Sequence, residues 1–154
     1  MTDKANDRLS HTTDEGSARM VDVSAKPATL RTAVASGHIQ MTPVTLVAIL
    51  DNQIRKGDVL GVAKIAGIMA AKRTAELVPL CHPLTLTHVD VACALDETLP
   101  GVVVTATVST MAQTGVEMEA MTATTIALVT IYDMAKSSDP AMVIGEVRLR
   151  SKTK

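Results

Sequence analysis

Asp133 and Lys136 stand three residues apart near the end of a helix-length stretch, so on a helix they share a face and can touch. The commoner meaning of that spacing is an ordinary surface ion pair. Its chemical meaning is a carboxylate that orients an ammonium group and sets its proton state for acid/base work. Glu117 and Glu119 are the only other charged side chains between Thr98 and Ala135. They fall in the first turn after Gly115, where carboxylates simply complement a helix dipole. In so apolar a neighbourhood the alternative is an acid held by a specific partner, because an unpaired buried charge is expensive. If one continuous helix carries both Glu119 and Asp133, their separation along the axis is about 21 Å at ~1.5 Å per residue. They then cannot act on the same bond within one chain, and a site using both must combine helix ends from two subunits or recruit other elements at each end.

A second constellation is Val78-Pro79-Leu80-Cys81-His82-Pro83-Leu84, in which two prolines stiffen the backbone around an adjacent Cys-His pair. The plain reading is a loop with a buried Cys81 and a hydrogen-bonded His82; the sharper one is a rigid loop offering Leu80, Cys81 and His82 to a ligand. No base is placed to make Cys81 a nucleophile. A zinc site would need three or four converging ligands, and only His11, His38 and His88 could complete it. Cations are scattered as Arg31, Lys56, Lys64, Lys72, Arg73, Lys136 and Lys152. A phosphate-rich small ligand would draw several of them from separate elements, whereas the standard glycine-rich nucleotide loops are absent.

The elements that must position these groups are legible from periodicity. Residues 1–19 are polar and charged and read as a mobile tail, with a single domain over 20–154. Val21 and Val23 alternate with Asp22 and Ser24, as in a half-buried strand, and a second extended piece runs through Arg31 towards Met41. Thr42-Pro43 reads as N-cap and first residue of a helix ending at Gly57. Asp58 caps another, along which Val59, Val62, Ile65, Ala66 and Met69 recur at helical spacing. Residues 84–111 alternate with period two and predict an antiparallel pair turning between Asp96 and Gly101. A long helix follows Gly115, with Met121, Thr125, Leu128 and Tyr132 on one face; Pro140 ends it before a closing strand. The order favours an α+β sandwich with helices on one face of a mostly antiparallel sheet.

Composition narrows the function. The 154 residues carry 15 Lys and Arg against 16 Asp and Glu, a formal charge of −1 that argues against broad attraction to nucleic acid or membrane surfaces. With Tyr132 the sole aromatic, base-stacking platforms are excluded, and the core must be packed from Ala, Val, Leu, Ile and Met. Two cysteines outside any C-x-x-C spacing make no disulfide framework, and no apolar leader or membrane span is visible. A reduced, cytoplasmic protein is the expectation.

Taken together, MVDVSAK (20–26), KGDVLGVAKIAGIMAAKRTAELVPLCHPL (56–84), TGVEMEAMTA (114–123), IYDMAK and MVIGEVRL (131–149) closely resemble the MoaC family, the cyclic pyranopterin monophosphate synthases of molybdenum cofactor biosynthesis. The resemblance implies a ferredoxin-like α+β fold and a hexamer built from dimers, with sites at the dimer interface. The reaction it implies is a phosphorus–oxygen lyase step. It converts 3′,8-cyclo-7,8-dihydroguanosine 5′-triphosphate to cyclic pyranopterin monophosphate, releases pyrophosphate and needs no resident cofactor, Mg²⁺ at most accompanying the triphosphate. By the same resemblance Lys136 is proton donor and acceptor, Asp133 orients it, and Lys56 is a second acid/base candidate. His82 and Arg31 meet the substrate. Leu80, Cys81, His82, Met118 and Glu119 match segments that hold base and ribose, with Glu117 beside them and Lys152 near the phosphates. Relatives usually continue after the Lys152 position with a Gly-Gly-Lys-Ser-Gly type of segment, where this chain reads Thr153-Lys154. That departure bears on phosphate closure and motivates a second hypothesis, a catalytically impaired relative that binds a phosphorylated pterin or purine as carrier or regulator.

Overall fold

The structure is a computed structural model that describes residues 16–154. Most of the expected tail, residues 1–15, lies outside the described residues, and His11 with it. The element order is β1 (Thr29–Gln40), α1 (Pro43–Leu50), α2 (Val59–Lys72), α3 (Thr74–Leu77), β2 (Leu86–Asp96), β3 (Gly101–Ala112), α4 (Glu117–Ala135) and β4 (Val143–Thr153). The strands form one antiparallel sheet in the order β2-β3-β1-β4. This is the split βαβ arrangement of a ferredoxin-like fold, in which β1 and β3 occupy the centre and the helices cover one face.

Alternation along the strands aims one set of side chains at the helices. Ala33, Ala35 and Ile39 of β1 and Val102, Val104, Ala106 and Val108 of β3 are fully buried there. Against them lies α4, burying Ala120, Ala123, Thr124, Ala127, Leu128 and Ile131. With Tyr132 as its sole aromatic ring, the chain cannot span a wide interlayer gap along its length, so helix and sheet must approach closely. At Gly37 an added Cβ would come within 2.8 Å of Val147 and 3.0 Å of Leu128. At Gly67 of α2 it would come within 2.9 Å of the Ala123 carbonyl and 3.3 Å of Ala127. The α2–α4 contact is therefore built from small residues, and shape fit replaces bulk.

Two expectations need correction. Residues 20–25 form no strand: Asp22 Oδ1 accepts from Ser24 N at 2.9 Å, and Lys26 N donates to the Val23 carbonyl at 2.9 Å, curling the segment into turns. The alternation was real, since Val21 and Val23 are half-buried and Asp22 and Ser24 exposed, but it lines a cavity instead of a sheet. The helix opened by Thr42 and Pro43 stops at Leu50, not Gly57, because Asn52 takes a positive φ of 54° after the Asp51 C-cap. On α2, Val62, Ile65 and Met69 face outward, and Ala63, Gly67, Ala70 and Ala71 take the core side.

At an open helical site Gly67→Ala would gain roughly 1 kcal/mol from helix propensity. Here we expect the opposite, a lower urea midpoint than the parent, because the new methyl meets backbone oxygen of α4. An unchanged or higher midpoint would contradict the close-packed α2–α4 contact.

Candidate active site

The loop between α1 and α2 presents Lys56, closed by Gly57 at a φ of 94° that favours glycine, with Gly57 N donating to the Ile54 carbonyl. Asp58 then caps α2 by accepting from Gly61 N at 2.9 Å. Across from this loop is the C-terminal end of α4. Asp139, buried just beyond it, accepts from Thr42 N at 2.8 Å and ties that end to the start of α1. Lys56 Nζ reaches Asp133 Oδ2 at 2.7 Å and the Asp133 carbonyl at 2.8 Å, while Lys136 Nζ lies 2.8 Å from Asp133 Oδ1. One carboxylate thus bridges two ammonium groups. Hydrogen bonds from Lys136 and Lys56, with their charges, hold Asp133 down to about 2. In return Asp133 raises the Lys136 pKa above the ordinary 10.5. All three side chains remain about half exposed, so the trio is a presented charge cluster and not a structural core bridge.

At the other end of α4 is a cleft with two adjoining compartments. The first, of about 440 Å³, is lined by the turn segment with Val21 and Val23, by Leu80, Cys81 and His82, and by Glu117, Met118 and Glu119. The second, of about 270 Å³, is lined by Arg31, Gln113, Lys152 and Lys154. Lys26, Thr114, Gly115 and Glu117 line both. Among the described residues four cations therefore face the second compartment, against the side-chain carboxylate of Glu117. That carboxylate accepts from Lys152 Nζ at 2.9 Å. Burial opposes ionisation of Glu117, but the Lys152 hydrogen bond, its own backbone N–H and the Lys152 and Arg31 charges outweigh it, and its pKa is lowered. Arg31 Nη2 donates to the Gln113 carbonyl at 3.5 Å, and its buried Nε has no hydrogen-bond partner among the described residues. An orphaned guanidinium N–H beside three ammonium groups suits a ligand oxyanion.

Glu119 is only 4% exposed, yet it lines the first compartment. Burial raises its pKa and the Glu117 charge adds to this, against its own backbone N–H and His82. That shift favours the protonated acid over the carboxylate relative to an ordinary glutamate. Cys81 is pushed up by burial and by Glu119, which keeps it a thiol and fits packing better than nucleophilic attack. His82 donates from Nε2 to the Val21 carbonyl at 2.7 Å. Among the described residues no group of three or more His, Cys, Asp or Glu could hold a metal ion, so His38 and His88 do not complete a zinc site with Cys81 and His82.

The sequence-derived residues thus fall into two groups. Arg31, Leu80, Cys81, His82, Glu117, Met118, Glu119 and Lys152 share the cleft, while Lys56, Asp133 and Lys136 form the trio at the opposite end of α4. Sequence reasoning overlooked Lys26, Gln113, Thr114 and Lys154 as cleft residues. Lys26 could have been found from the Val21/Val23 alternation had the segment been read as a strap; for the others only the sheet register brings them to the cleft.

Folding raises the Glu119 pKa, so its folded form binds more protons than the unfolded chain, and stability is complete below 4.5 and lost as pH rises through the folded value. Glu119→Gln removes that loss. We expect the variant to unfold at higher urea than the parent at pH 7, with the advantage shrinking as pH falls to 4.5; a variant less stable at pH 7 would contradict a carboxylate whose burial outweighs its backbone N–H and His82.

Residues 20–154 match the family model described as MoaC family. The chain is 53% identical over 146 residues to a cyclic pyranopterin monophosphate synthase of Parvibaculum lavamentivorans, covering 95% of this chain and 91% of that one. It is 56% identical over 141 residues to a protein of the same name from Cereibacter sphaeroides, covering 92% and 89%. With the ferredoxin-like sheet, the paired compartments and identities above one half along nearly the whole length, this chain belongs to the MoaC family.

Proposed function

We infer that the chain carries out the reaction for which its relatives are named, cyclic pyranopterin monophosphate synthesis, as a lyase of molybdenum cofactor biosynthesis. The substrate in this reading is 3′,8-cyclo-7,8-dihydroguanosine 5′-triphosphate, and the second product is pyrophosphate. The observation that carries it is the adjoining pair of compartments: one with a buried acid and a histidine, sized for a purine-derived ring, and one faced by Lys26, Arg31, Lys152 and Lys154 for a polyphosphate. Any Mg²⁺ belongs to the bound triphosphate in this reading. The carrier or regulator reading is not favoured, since the named relatives are synthases.

Opening and rebuilding the purine-derived ring needs protons moved, and closing the cyclic phosphate needs negative charge neutralised at the α-phosphorus. Lys136 enters as the proton donor, because Asp133 holds it protonated. When its proton leaves, the Asp133 carboxylate still has Lys56 at 2.7 Å, so the neutral amine is not left beside an unbalanced charge. Lys56 can pass a proton by the same route. His82 and Glu119 meet the base and ribose, with Leu80, Cys81 and Met118 supplying the apolar walls and Glu117 at the junction with the phosphates.

These two groups cannot reach one ligand in one chain, so the proposed site joins the cleft of one subunit to the trio of a neighbour, within a hexamer made as three dimers. The exposed apolar side chains Val44, Val47 and Leu50 of α1 and Val62, Ile65 and Met69 of α2 support assembly, since a subunit contact over these helices would take them out of water. A cytoplasmic setting fits the two free cysteines, and no helix among the described residues is long and apolar enough to cross a membrane.

Lys136→Ala should abolish pyrophosphate release from the cyclic triphosphate, a loss of at least ~10² for removal of a general acid, while leaving assembly and triphosphate binding intact. Normal turnover by the variant would reject the donor role.

A further inference from the structure

The segment 21–26 is a strap across the cleft. Its two half-buried valines line the first compartment, and Lys26 lines both. Besides its internal turns, the strap meets the stiff Pro79–Pro83 loop through the 2.7 Å bond between His82 Nε2 and the Val21 carbonyl. A carbonyl only accepts, so Nε2 must carry the proton. The neutral imidazole then has its lone pair on Nδ1, for which the described residues supply no hydrogen bond.

Resting on the synthase reading, we propose that this strap is a positioning element: a polyphosphate gripped by Lys26 pins the strap, and the Val21 carbonyl thereby fixes His82 with its proton on Nε2 and Nδ1 free to exchange protons with the ring of the substrate. Lys26 follows Val21 by five residues and reaches the phosphate compartment, whereas the carbonyl reaches the histidine, so one short segment touches both halves of the ligand. A bound polyanion would then prepare the proton-transferring group, and a ligand without its phosphates would leave the strap loose. His82 is also faced by Asp22 of the strap and Glu119 of α4. Behind it lies a third cavity, of about 250 Å³, whose lining includes Lys72, Arg73 and Glu76. A titration of the ring therefore reads all of these charges, and the tautomer is the cleaner observable.

The test is ¹⁵N-histidine NMR on the full chain, titrated until His82 is neutral, with inorganic triphosphate as the probe. We expect the ring to carry its proton on Nε2, and triphosphate to slow exchange of that proton with water in the parent. In Lys26→Ala we expect the tautomer without the slowing. A proton found on Nδ1, or no slowing in the parent, or the same slowing in Lys26→Ala, would each overturn the proposal. Because tautomer and exchange are read without turnover, normal pyrophosphate release beside any of those results would remove the strap's role and leave the synthase reading standing.

Discussion

An uninterrupted α4 is the constraint on which the site depends. Glu117–Ala135 form one helix of 19 residues, with the cleft acids in its first turn and Asp133 in its last. At ~1.5 Å per residue this rod keeps Glu119 and Asp133 about 21 Å apart, well beyond the length over which one small ligand could bridge them. Small residues let this helix lie close to the sheet and to α2: Gly37 beneath Leu128, and Gly67 against Ala123 and Ala127. Packing and catalysis meet here, since whatever lets α4 bend or lift also moves both groups of charged side chains.

Each end of that helix uses electrostatics differently. At the C-terminal end an exposed carboxylate serves two ammonium groups, and hydrogen bonding holds Asp133 well below the usual carboxylate range and Lys136 above its ordinary value. At the N-terminal end Glu117 is ionised by Lys152, while Glu119, two residues on, is pushed towards its neutral form by burial. Two neighbouring glutamates with opposite shifts suit different duties, Glu117 balancing cations and Glu119 favouring its neutral form more than an ordinary glutamate does.

Much of this could be read from residue order alone. The capping signals at Thr42-Pro43 and Asp58, the period-two run over 84–111 and the helix after Gly115 all correspond to observed elements. So does contact between Asp133 and Lys136, which follows from their spacing. What escaped depended on tertiary placement. The valine alternation at 21–23 has two physical solutions, a ladder or a strap, and the Asp22–Ser24 turn selects the second. Helical spacing along α2 did not reveal that Val62, Ile65 and Met69 face outward while Ala63, Gly67 and Ala70 take the core side, because that choice depends on how closely α4 approaches at Gly67. Lys154 and Gln113 join the cleft because β4 and β3 flank β1 in this sheet order, which local pattern cannot reveal.

The central claim is that a working site takes its cleft from one chain and its Asp133 trio from another. Co-assembly of two separately inactive chains, His82→Ala and Lys136→Ala, tests it most directly. In randomly mixed symmetric dimers half the dimers are mixed, and each holds one site with both groups intact, so about a quarter of parental pyrophosphate release should return. A mixture as inactive as either chain alone, with mixed dimers confirmed by mass, would contradict the account.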